Sequence, residues 1–316
     1  MPRTYVEDLK AGQTVQQAFL VQSKQLRTQR SGALFLTLEL ADRTGVAPAV
    51  FWDATQSLYE AFDEGDFVLV KAHGETYRRR LQLVVTDLRR LEPADVDIAE
   101  FVPATKKDVA EMLARLREIA DTVAQPQLQA LLAAFLDDEA FIAAFRQAPA
   151  GLSIHHAWLG GLLEHTLAVT EMALETAERY PNLNRDLLVA GAVLHDIGKI
   201  EAFEFERGID YSDAGRLVGH LPIGVRMVEA KARALDDFPT ALLDQLRHLI
   251  LSHHGEHAYG SPTLPATAEA IALHFLDNLD AKLVAFEQAL LRDQNPDSAW
   301  TDYNRVFERR LFKPRV

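Results

Sequence analysis

The 316-residue chain contains no cysteine. This absence excludes a disulfide-stabilised scaffold, a zinc ribbon and a catalytic thiol. Any bound metal must then be held by histidine and carboxylate side chains. The chain has 11 histidines, enough to supply such a site.

Long apolar runs are also absent. No segment reaches the ~18 apolar residues of a membrane-spanning helix, and residues 1–8 lack the basic and then apolar pattern of a secretory signal. We therefore expect a cytoplasmic protein with no membrane partner. The composition, 48% hydrophobic and 25% charged, is typical of globular proteins, and the length allows two domains.

The net charge of −13 is unevenly distributed. Residues 1–92 contain 12 Lys and Arg against 12 Asp and Glu, so the whole acidic excess lies in the rest of the chain. The total charge argues against a nucleic-acid partner. This argument does not apply to residues 1–92, because their positive and negative charges balance. Carboxylates in the remainder are compatible with bound cations, although most belong to solvated helix faces.

Five short segments rich in Val, Leu, Phe and Thr are predicted as strands separated by turn residues. They cover residues 14–23, 33–40, 46–51, 67–72 and 81–88. A helical spacing follows the third strand. Five strands with a helix after the third is the order of an OB-fold, a small barrel that binds oligonucleotides. We assign residues 1–92 to this domain.

Basic and aromatic residues of this domain are candidate contacts to nucleic acid, because aromatic rings stack on bases and cations follow the phosphates. The candidates are Lys24, Arg27, Arg30, Phe35, Trp52, Tyr77, Arg78, Arg79 and Arg80. Phe35 and Trp52 lie in or beside predicted strands, where a core position is the common alternative. The arginine run is also compatible with a solvated hairpin tip.

Residues 93–104 contain Pro and Asp and are predicted as a linker. Every later element is predicted helical, so we expect residues 105–316 to form an all-α domain that opens with helices in 105–147. Thr105 and Asp108 have the spacing of a capping box. Later helices are predicted at 159–179, 185–195, 222–235, 239–254 and 267–291.

The segment VLHDIGK, residues 193–199, ends an apolar helical run with a histidine, a carboxylate, a glycine and a lysine. His195 and Asp196 can offer an imidazole nitrogen and carboxylate oxygens to one point, which suits a divalent metal of the Mn, Fe or Zn type. A His-Asp dipeptide alone is weak evidence. Other potential ligands in predicted helices strengthen it: His165, His220, His253, His254 and Asp277.

This order, H…HD…H…HH…D, resembles that of HD-domain metallophosphohydrolases that hold two metals. The resemblance implies one metal on His165, His195, Asp196 and Asp277, and a second on Asp196, His220, His253 and His254. Two such ions lower the pKa of a shared water and neutralise a phosphodiester. Lys199 resembles the basic group that meets a non-bridging phosphate oxygen and stabilises transition-state charge. Taken singly, each of these histidines is more often a core or surface residue.

The strings SIHHAWLGGLLEHT, HDIGK, GHLPIG, SHHG and LHFLDNLDAK, behind an OB-fold, resemble the YhaM-type 3′→5′ exoribonucleases over nearly the whole chain. The resemblance implies hydrolysis of single-stranded RNA, and in some members single-stranded DNA, to nucleoside 5′-monophosphates. It implies two Mn²⁺, with Fe, Co, Mg and Zn as alternatives. It also implies that His156 faces the substrate, whereas Asp280 is expected to support a ligand or to lie at the surface.

Two other functions stay open. An HD phosphohydrolase acting on nucleotides or another small phosphoester would explain the metal site but leave the OB-fold without a role. A nucleic-acid-binding or regulatory protein could keep a structural metal, although the full set of ligands together with Lys199 speaks against it. The sequence does not indicate the oligomeric state.

Overall fold

In a computed structural model of the chain, the described residues are 3–29, 31–77, 80–152, 156–204, 209–291, 293 and 298–314, with residue 80 described for its main chain alone. The chain divides into two compact units. One comprises Met1–Ala104 and Glu204–Ile209, and the other Thr105–Phe203 and Asp210–Val316.

The first unit contains a closed five-stranded barrel. Its elements are β1 (Thr14–Thr28), β2 (Leu34–Asp42), β3 (Gly45–Phe51), α1 (Gln56–Glu60), β4 (Phe67–Tyr77) and β5 (Arg80–Leu91). A short 3-10 turn, Val6–Asp8, precedes them. Neighbours around the barrel run β1-β2-β3-β5-β4; β3 and β5 pair parallel and the other pairs are antiparallel. This arrangement confirms the predicted OB-fold.

Alternating apolar side chains fill the barrel. Phe19 and Val21 on β1, and Val68 and Val70 on β4, are fully buried, because every second side chain of a strand points inward. Both strands run several residues past their predicted ends. Backbone pairing continues there through polar residues such as Gln25, which a search for apolar runs leaves out.

The predicted linker packs on the barrel. It forms two 3-10 turns, Pro93–Asp95 and Ile98–Glu100, followed by Phe101 and Val102, which are 3% exposed. The ring of Phe101 lies 4.8 Å from that of Phe67. Burying these apolar side chains is favourable, so the segment is part of the barrel unit and not a free connection.

The second unit is mainly helical. Its helices are α2 (Val109–Asp121), α3 (Pro126–Leu136), α4 (Glu139–Phe145), α5 (Gly161–Arg179), α6 (Arg185–Leu194), α7 (Lys199–Ala202), α8 (Asp213–Leu217), α9 (His220–Arg233), α10 (Thr240–Ser252) and α11 (Ala268–Leu291). A 3-10 turn at His257–Tyr259 and the two-residue strand β7 (Asp210–Tyr211) complete the elements of this unit. The two-residue strand β6 (Phe203–Glu204) spans the boundary between the units in sequence. Among the residues described, no helix is long and apolar enough to cross a membrane.

Helix α6 lies at the centre of this unit. All its residues from Leu187 to Leu194 are buried, as expected of a helix that is apolar all round. It packs against α5, α10 and α11. At Gly191 an added Cβ would lie 2.7 Å from the side chain of Leu249, so α6 and α10 are in close contact. The chain therefore leaves α6 inside the core, with His195 and Asp196 as the next residues.

The start of α2 differs from the prediction. Asp108 is the N-cap, and its carboxylate accepts hydrogen bonds from the backbone N–H groups of Ala110 at 2.7 Å and Glu111 at 3.1 Å. Thr105, predicted to cap the helix, instead donates its hydroxyl to Glu164 at 2.7 Å. The predicted capping box is wrong by one turn, since an aspartate satisfies the first N–H groups at least as well as a threonine.

A prediction concerns the contact between the start of α7 and α9. At Gly198 an added Cβ would lie 2.0 Å from the carbonyl oxygen of His220 and 2.6 Å from the backbone nitrogen of Gly224. We predict that Gly198→Ala lowers the free energy of unfolding by about 1–3 kcal/mol, the usual cost of overpacking. Urea unfolding followed by circular dichroism measures this change.

Gly224→Ala is the matched control. Its added Cβ would meet the nearest atom at 3.5 Å, an ordinary contact. Because alanine is the better helix former by up to about 1 kcal/mol, this variant should be neutral or more stable. Equal destabilisation by the two substitutions would contradict the steric argument.

Candidate functional site

All the predicted metal ligands converge within the helical unit. His165 lies in the first turns of α5, Asp277 lies on α11, and His220 is the first residue of α9. His195 and Asp196 directly follow α6, and His253 and His254 directly follow α10. Adjacent residues inside a helix diverge by ~100°, so the position at helix ends lets neighbouring side chains share one site.

One group of ligand atoms surrounds the Nε2 atom of His165. This nitrogen lies 3.2 Å from His195 Nε2, 3.2 Å from Asp277 Oδ1 and 3.5 Å from Asp196 Oδ2. His195 Nε2 lies 3.4 Å from the same oxygen of Asp196. Both imidazoles are fully buried. These atoms are the ligand set expected for the first metal.

A second group surrounds the other oxygen of Asp196. The Nε2 atoms of His220 and His253 each lie 3.5 Å from Asp196 Oδ1. His254 Nε2 lies 3.2 Å from His220 Nε2. The two oxygens of a single carboxylate thus face two different clusters, as a bridging ligand requires.

Hydrogen bonds establish which imidazole nitrogen faces inward. The Nδ1 atoms of three ligands contact backbone carbonyl oxygens at 2.8–2.9 Å: His195 with Ala192, His253 with Ile250 and His254 with Tyr259. A carbonyl oxygen only accepts, so Nδ1 carries the proton in each case. Each Nε2 therefore presents a lone pair to the centre, the arrangement found in histidine ligands of metals.

An unpaired oxygen of the buried Asp196 further supports binding of a divalent metal. Within the described residues, no group donates a hydrogen bond to Asp196 Oδ1, although Asp196 is only 1% exposed. A buried carboxylate oxygen without a partner is costly, and a cation would compensate it. Imidazole nitrogens with carboxylate oxygens, and no sulfur, suit Mn, Fe, Co or Zn.

The electrostatics around His165 favour positive charge. Burial by itself lowers the pKa of His165, but hydrogen bonds to Asp277 and Asp280 and the charges of Asp277 and Asp196 outweigh it and raise that pKa to about 9. Burial likewise opposes ionisation of Asp277, yet its hydrogen bond with His165 and the nearby imidazoles hold its pKa below the usual range. The site attracts a cation to the position that a metal would take.

Two imidazoles of the second group are kept neutral. Burial lowers the pKa of His220 well below its ordinary value. Burial and the neighbouring His253 lower the pKa of His254 to about 4. Metal-binding imidazoles must be unprotonated, so both are ready to act as ligands at neutral pH.

Lys199 pairs with the bridging carboxylate. Its ammonium group lies 2.6 Å from Asp196 Oδ2. The residue as a whole is 7% exposed. Burial raises the pKa of Asp196, but the charge of Lys199 and the interactions with His195 outweigh this and hold the pKa well below its usual range. Lys199 therefore contacts Asp196 directly.

The sequence left two alternatives for Asp280, support of a metal ligand and a position at the surface. Asp280 follows Asp277 by one helical turn, and its Oδ2 lies 2.7 Å from His165 Nδ1 and 2.9 Å from His156 Nε2. The i, i+3 spacing on α11 places both carboxylates on one face of the helix. His156, predicted to face the substrate, is 2% exposed. His155 lies outside the described residues.

In the barrel unit, some predicted nucleic-acid contacts form a row across neighbouring strands. Arg27 on β1 pairs with Phe35 on β2, and the ring of Phe35 lies 5.1 Å from that of Trp52, which follows β3. Trp52 is 46% exposed. Strands 2 and 3 form the face on which OB-folds bind oligonucleotides, so this row is in a suitable place. We call Arg27, Phe35 and Trp52 the aromatic row.

Lys24 does not belong to that surface. Its ammonium group is buried, donates to the carbonyl oxygens of Tyr59 and Phe62, and pairs with Asp63 at 2.9 Å. The expectation that Lys24 contacts nucleic acid is therefore wrong: its charge is used to hold the segment that contains α1.

The remaining candidates lie at the β4–β5 hairpin. Tyr77 ends β4, is 52% exposed and pairs with Arg80 at the start of β5. Arg30, Arg78 and Arg79 fall outside the described residues, as does the side chain of Arg80. Their suggested role stays a prediction.

Comparison with known protein families gives two matches. Residues 162–282 match the HD domain, and residues 20–91 match an OB-fold nucleic acid binding domain. The first range contains all the ligands described above, and the second covers most of the barrel. The HD match confirms the predicted class of the helical unit and implies that the site binds divalent metal.

Curated relatives match nearly the whole chain. The 3'-5' exoribonucleases YhaM of Bacillus velezensis and Bacillus subtilis are each 34% identical over 285 residues, covering 90% of this chain and 90% of the relative. The protein of the same name from Oceanobacillus iheyensis is 33% identical over 276 residues, which is 87% of this chain and 86% of the relative. With this identity over both domains, the chain belongs to the YhaM family of 3′-5′ exoribonucleases.

Proposed function

We propose that this protein is a metal-dependent 3′→5′ exonuclease that hydrolyses the phosphodiester bonds of single-stranded RNA to nucleoside 5′-monophosphates. Family membership supports the reaction and its polarity. The observation that carries the chemistry is Asp196, whose two oxygens face two separate histidine clusters. Single-stranded DNA is a second substrate of the same chemical class.

The proposed cofactor is a pair of Mn²⁺ ions. We assign His165, His195 and Asp277 to one ion and His220, His253 and His254 to the other, with Asp196 shared. When bound, such a pair supplies Lewis acidity that lowers the pKa of a water and neutralises phosphodiester charge. Fe, Co, Mg and Zn are the alternatives for the same ligands.

Hydrolysis needs no nucleophilic side chain. A water molecule attacks phosphorus in line with the O3′ atom of the preceding nucleotide, and the P–O3′ bond breaks. The shortened RNA leaves with a 3′-hydroxyl, and the released nucleotide keeps its 5′-phosphate. Asp196 fixes the relative position of the two ligand groups, because its carboxylate is buried and is paired with Lys199 at 2.6 Å.

The charge of Lys199 has a second part in this proposal. Close to the bridging carboxylate, the buried ammonium adds positive potential where the non-bridging phosphate oxygens would lie. Such a preorganised charge acts strongly in a site of low dielectric. Binding of the rest of the strand falls to the aromatic row, through stacking that tolerates any base and through phosphate contacts that weaken as salt rises.

The experiment that tests the function uses purified protein and 5′-labelled single-stranded RNA with added Mn²⁺. We expect a ladder of labelled products that shortens from the 3′ end and that stops when a chelator removes the metal. Degradation from the 5′ end would release the label at once as a mononucleotide. An untouched oligomer, with phosphate released from mononucleotides, would contradict the exonuclease and favour a small-molecule phosphohydrolase.

Asp196→Asn should reduce RNA cleavage by about 100-fold or more, because metal ions contribute several kcal/mol to stabilising the transition state. The substitution preserves shape, so the circular dichroism spectrum should stay that of a folded helical protein. Asp236→Asn, at an exposed position of the same unit, is the control and should keep full activity. An active Asp196→Asn protein would show that the bridging role is misassigned.

Trp52→Ala should weaken binding of long single-stranded RNA by about 5- to 100-fold, since stacking contributes about 1–3 kcal/mol per base. Fluorescence anisotropy in the inactive Asp196→Asn background measures this without cleavage. Cleavage of dinucleotides by otherwise wild-type protein should change little. Tyr180→Ala removes an exposed aromatic side chain of the helical unit and serves as the control; equal affinities for both variants would exclude the aromatic row.

A further inference from the structure

The string HHAWLGGLLEHT contains residues that the metal site does not explain. His165 within it is a ligand, but His156, Trp158, Gly161 and Glu164 are not. His156 is 2% exposed, and its ring lies 5.4 Å from that of His165. A histidine buried this deeply next to a metal ligand needs a role other than contact with a long polymer.

Asp280 connects the two histidines. One oxygen of its carboxylate, Oδ2, lies 2.7 Å from His165 Nδ1 and 2.9 Å from His156 Nε2. An ionised carboxylate has no proton and only accepts hydrogen bonds. Both histidines therefore donate an N–H to Asp280.

This hydrogen bond has a direct consequence for His165. When His165 gives up its second proton to bind a cation, the remaining proton is held on Nδ1, and the lone pair of Nε2 faces the ligand group around Asp277 and Asp196. A carboxylate behind an imidazole also makes the imidazole a stronger metal ligand. His165 differs in this respect from His195, His253 and His254, whose Nδ1–H groups donate to main-chain carbonyls that the helices already hold.

A carboxylate side chain such as that of Asp280 can rotate unless another group holds it. Here His156 holds Asp280, and His156 is itself fixed by its backbone. The backbone of His156 has φ of 45°, in the left-handed region that few non-glycine residues adopt. Its carbonyl oxygen accepts a hydrogen bond from Ala150 N at 3.1 Å. At Gly161 an added Cβ would lie 2.1 Å from that carbonyl oxygen, so the glycine lets the two backbones approach.

The same loop is fastened from its other side by Glu164. Its Oε2 accepts hydrogen bonds from Trp158 Nε1 at 3.0 Å and Thr105 Oγ1 at 2.7 Å, and its Oε1 pairs with Lys107 at 3.1 Å. The ring of Trp158 in turn lies 5.1 Å from that of His156. The contacts made by residues 156–164 thus fix His156, and through Asp280 they fix the orientation of the His165 imidazole.

We propose that Asp280 and His156 are positioning residues for the metal ligand His165: Asp280 sets its tautomer and direction, and His156 holds Asp280. Neither residue contacts the substrate. The expectation that His156 faces the substrate is thereby replaced. The effect on RNA cleavage rests on the proposed function, whereas the effect on metal binding does not.

The test uses Asp280→Asn and His156→Asn in the full-length protein. The first keeps the shape but removes the negative charge; the second removes the imidazole and tolerates the positive φ, which asparagine adopts more readily than most residues. Titration calorimetry of Mn²⁺ into metal-stripped protein should show one class of site weakened by about 10- to 100-fold, the usual effect of losing such a partner. Glu287→Gln, an exposed charge removal on the same helix, should bind Mn²⁺ as wild type does.

Kinetics separate positioning from substrate contact. Both variants should have a lower kcat at limiting Mn²⁺ that rises again with added Mn²⁺, and an unchanged KM for RNA at saturating Mn²⁺. A higher KM with wild-type metal affinity in His156→Asn would overturn the proposal in favour of a substrate-facing histidine. Wild-type metal affinity in Asp280→Asn would overturn it as well.

Folding and function are controlled independently. Thermal unfolding of the metal-stripped variants shows whether each is folded; if Asp280→Asn is not, His156→Asn, one hydrogen bond further out, decides the question alone. A wild-type protein that fails to degrade RNA would refute the proposed function. It would leave the calorimetric comparison, and hence the positioning role, standing on its own result.

Discussion

The interaction on which the site depends is the compensation of one buried carboxylate. Asp196 follows a helix whose residues from Leu187 to Leu194 are all buried, so its charge lies where water cannot solvate it. An isolated charge in such surroundings is very unfavourable. The negative charge of Asp196 is compensated by the ammonium of Lys199 at one oxygen and by imidazole nitrogens around both oxygens. The remaining demand for positive charge is what makes the place a metal site.

Helix ends explain how so many ligands reach one point. The side chains of a continuous helix spread around its axis, yet this site takes two adjacent pairs, His195 with Asp196 and His253 with His254. Each pair lies immediately after a helix, where the Nδ1–H of its first histidine donates to a carbonyl three residues earlier, Ala192 or Ile250. The last turn of the helix thus orients its own terminal ligand, and packing of α6 on α10 brings the pairs together.

Much of this follows from sequence, and the exceptions have identifiable causes. Strand alternation and helical spacing predict the barrel and the helices, and the order of His and Asp predicts the ligands that the helices bring together. The burial of Lys24 could not be predicted, because a β-bulge between Val21 and Ser23 shifts the alternation and turns Lys24 inward. The hydrogen bond from Thr105 to Glu164 spans 59 positions in sequence, which local capping rules do not consider.

The two ligand groups differ in how their geometry is maintained. His253 and His254 in the second group are oriented by main-chain carbonyls, whose positions follow from the helix and the turn and do not depend on any one side chain. His165 in the first group relies on Asp280, and Asp280 on His156. Substitutions at these outer positions can therefore alter the first ligand group while the second keeps its geometry. Since the strength of an imidazole as a metal ligand depends on its hydrogen-bond partner, the first group is the one whose ligand strength the surrounding side chains can tune.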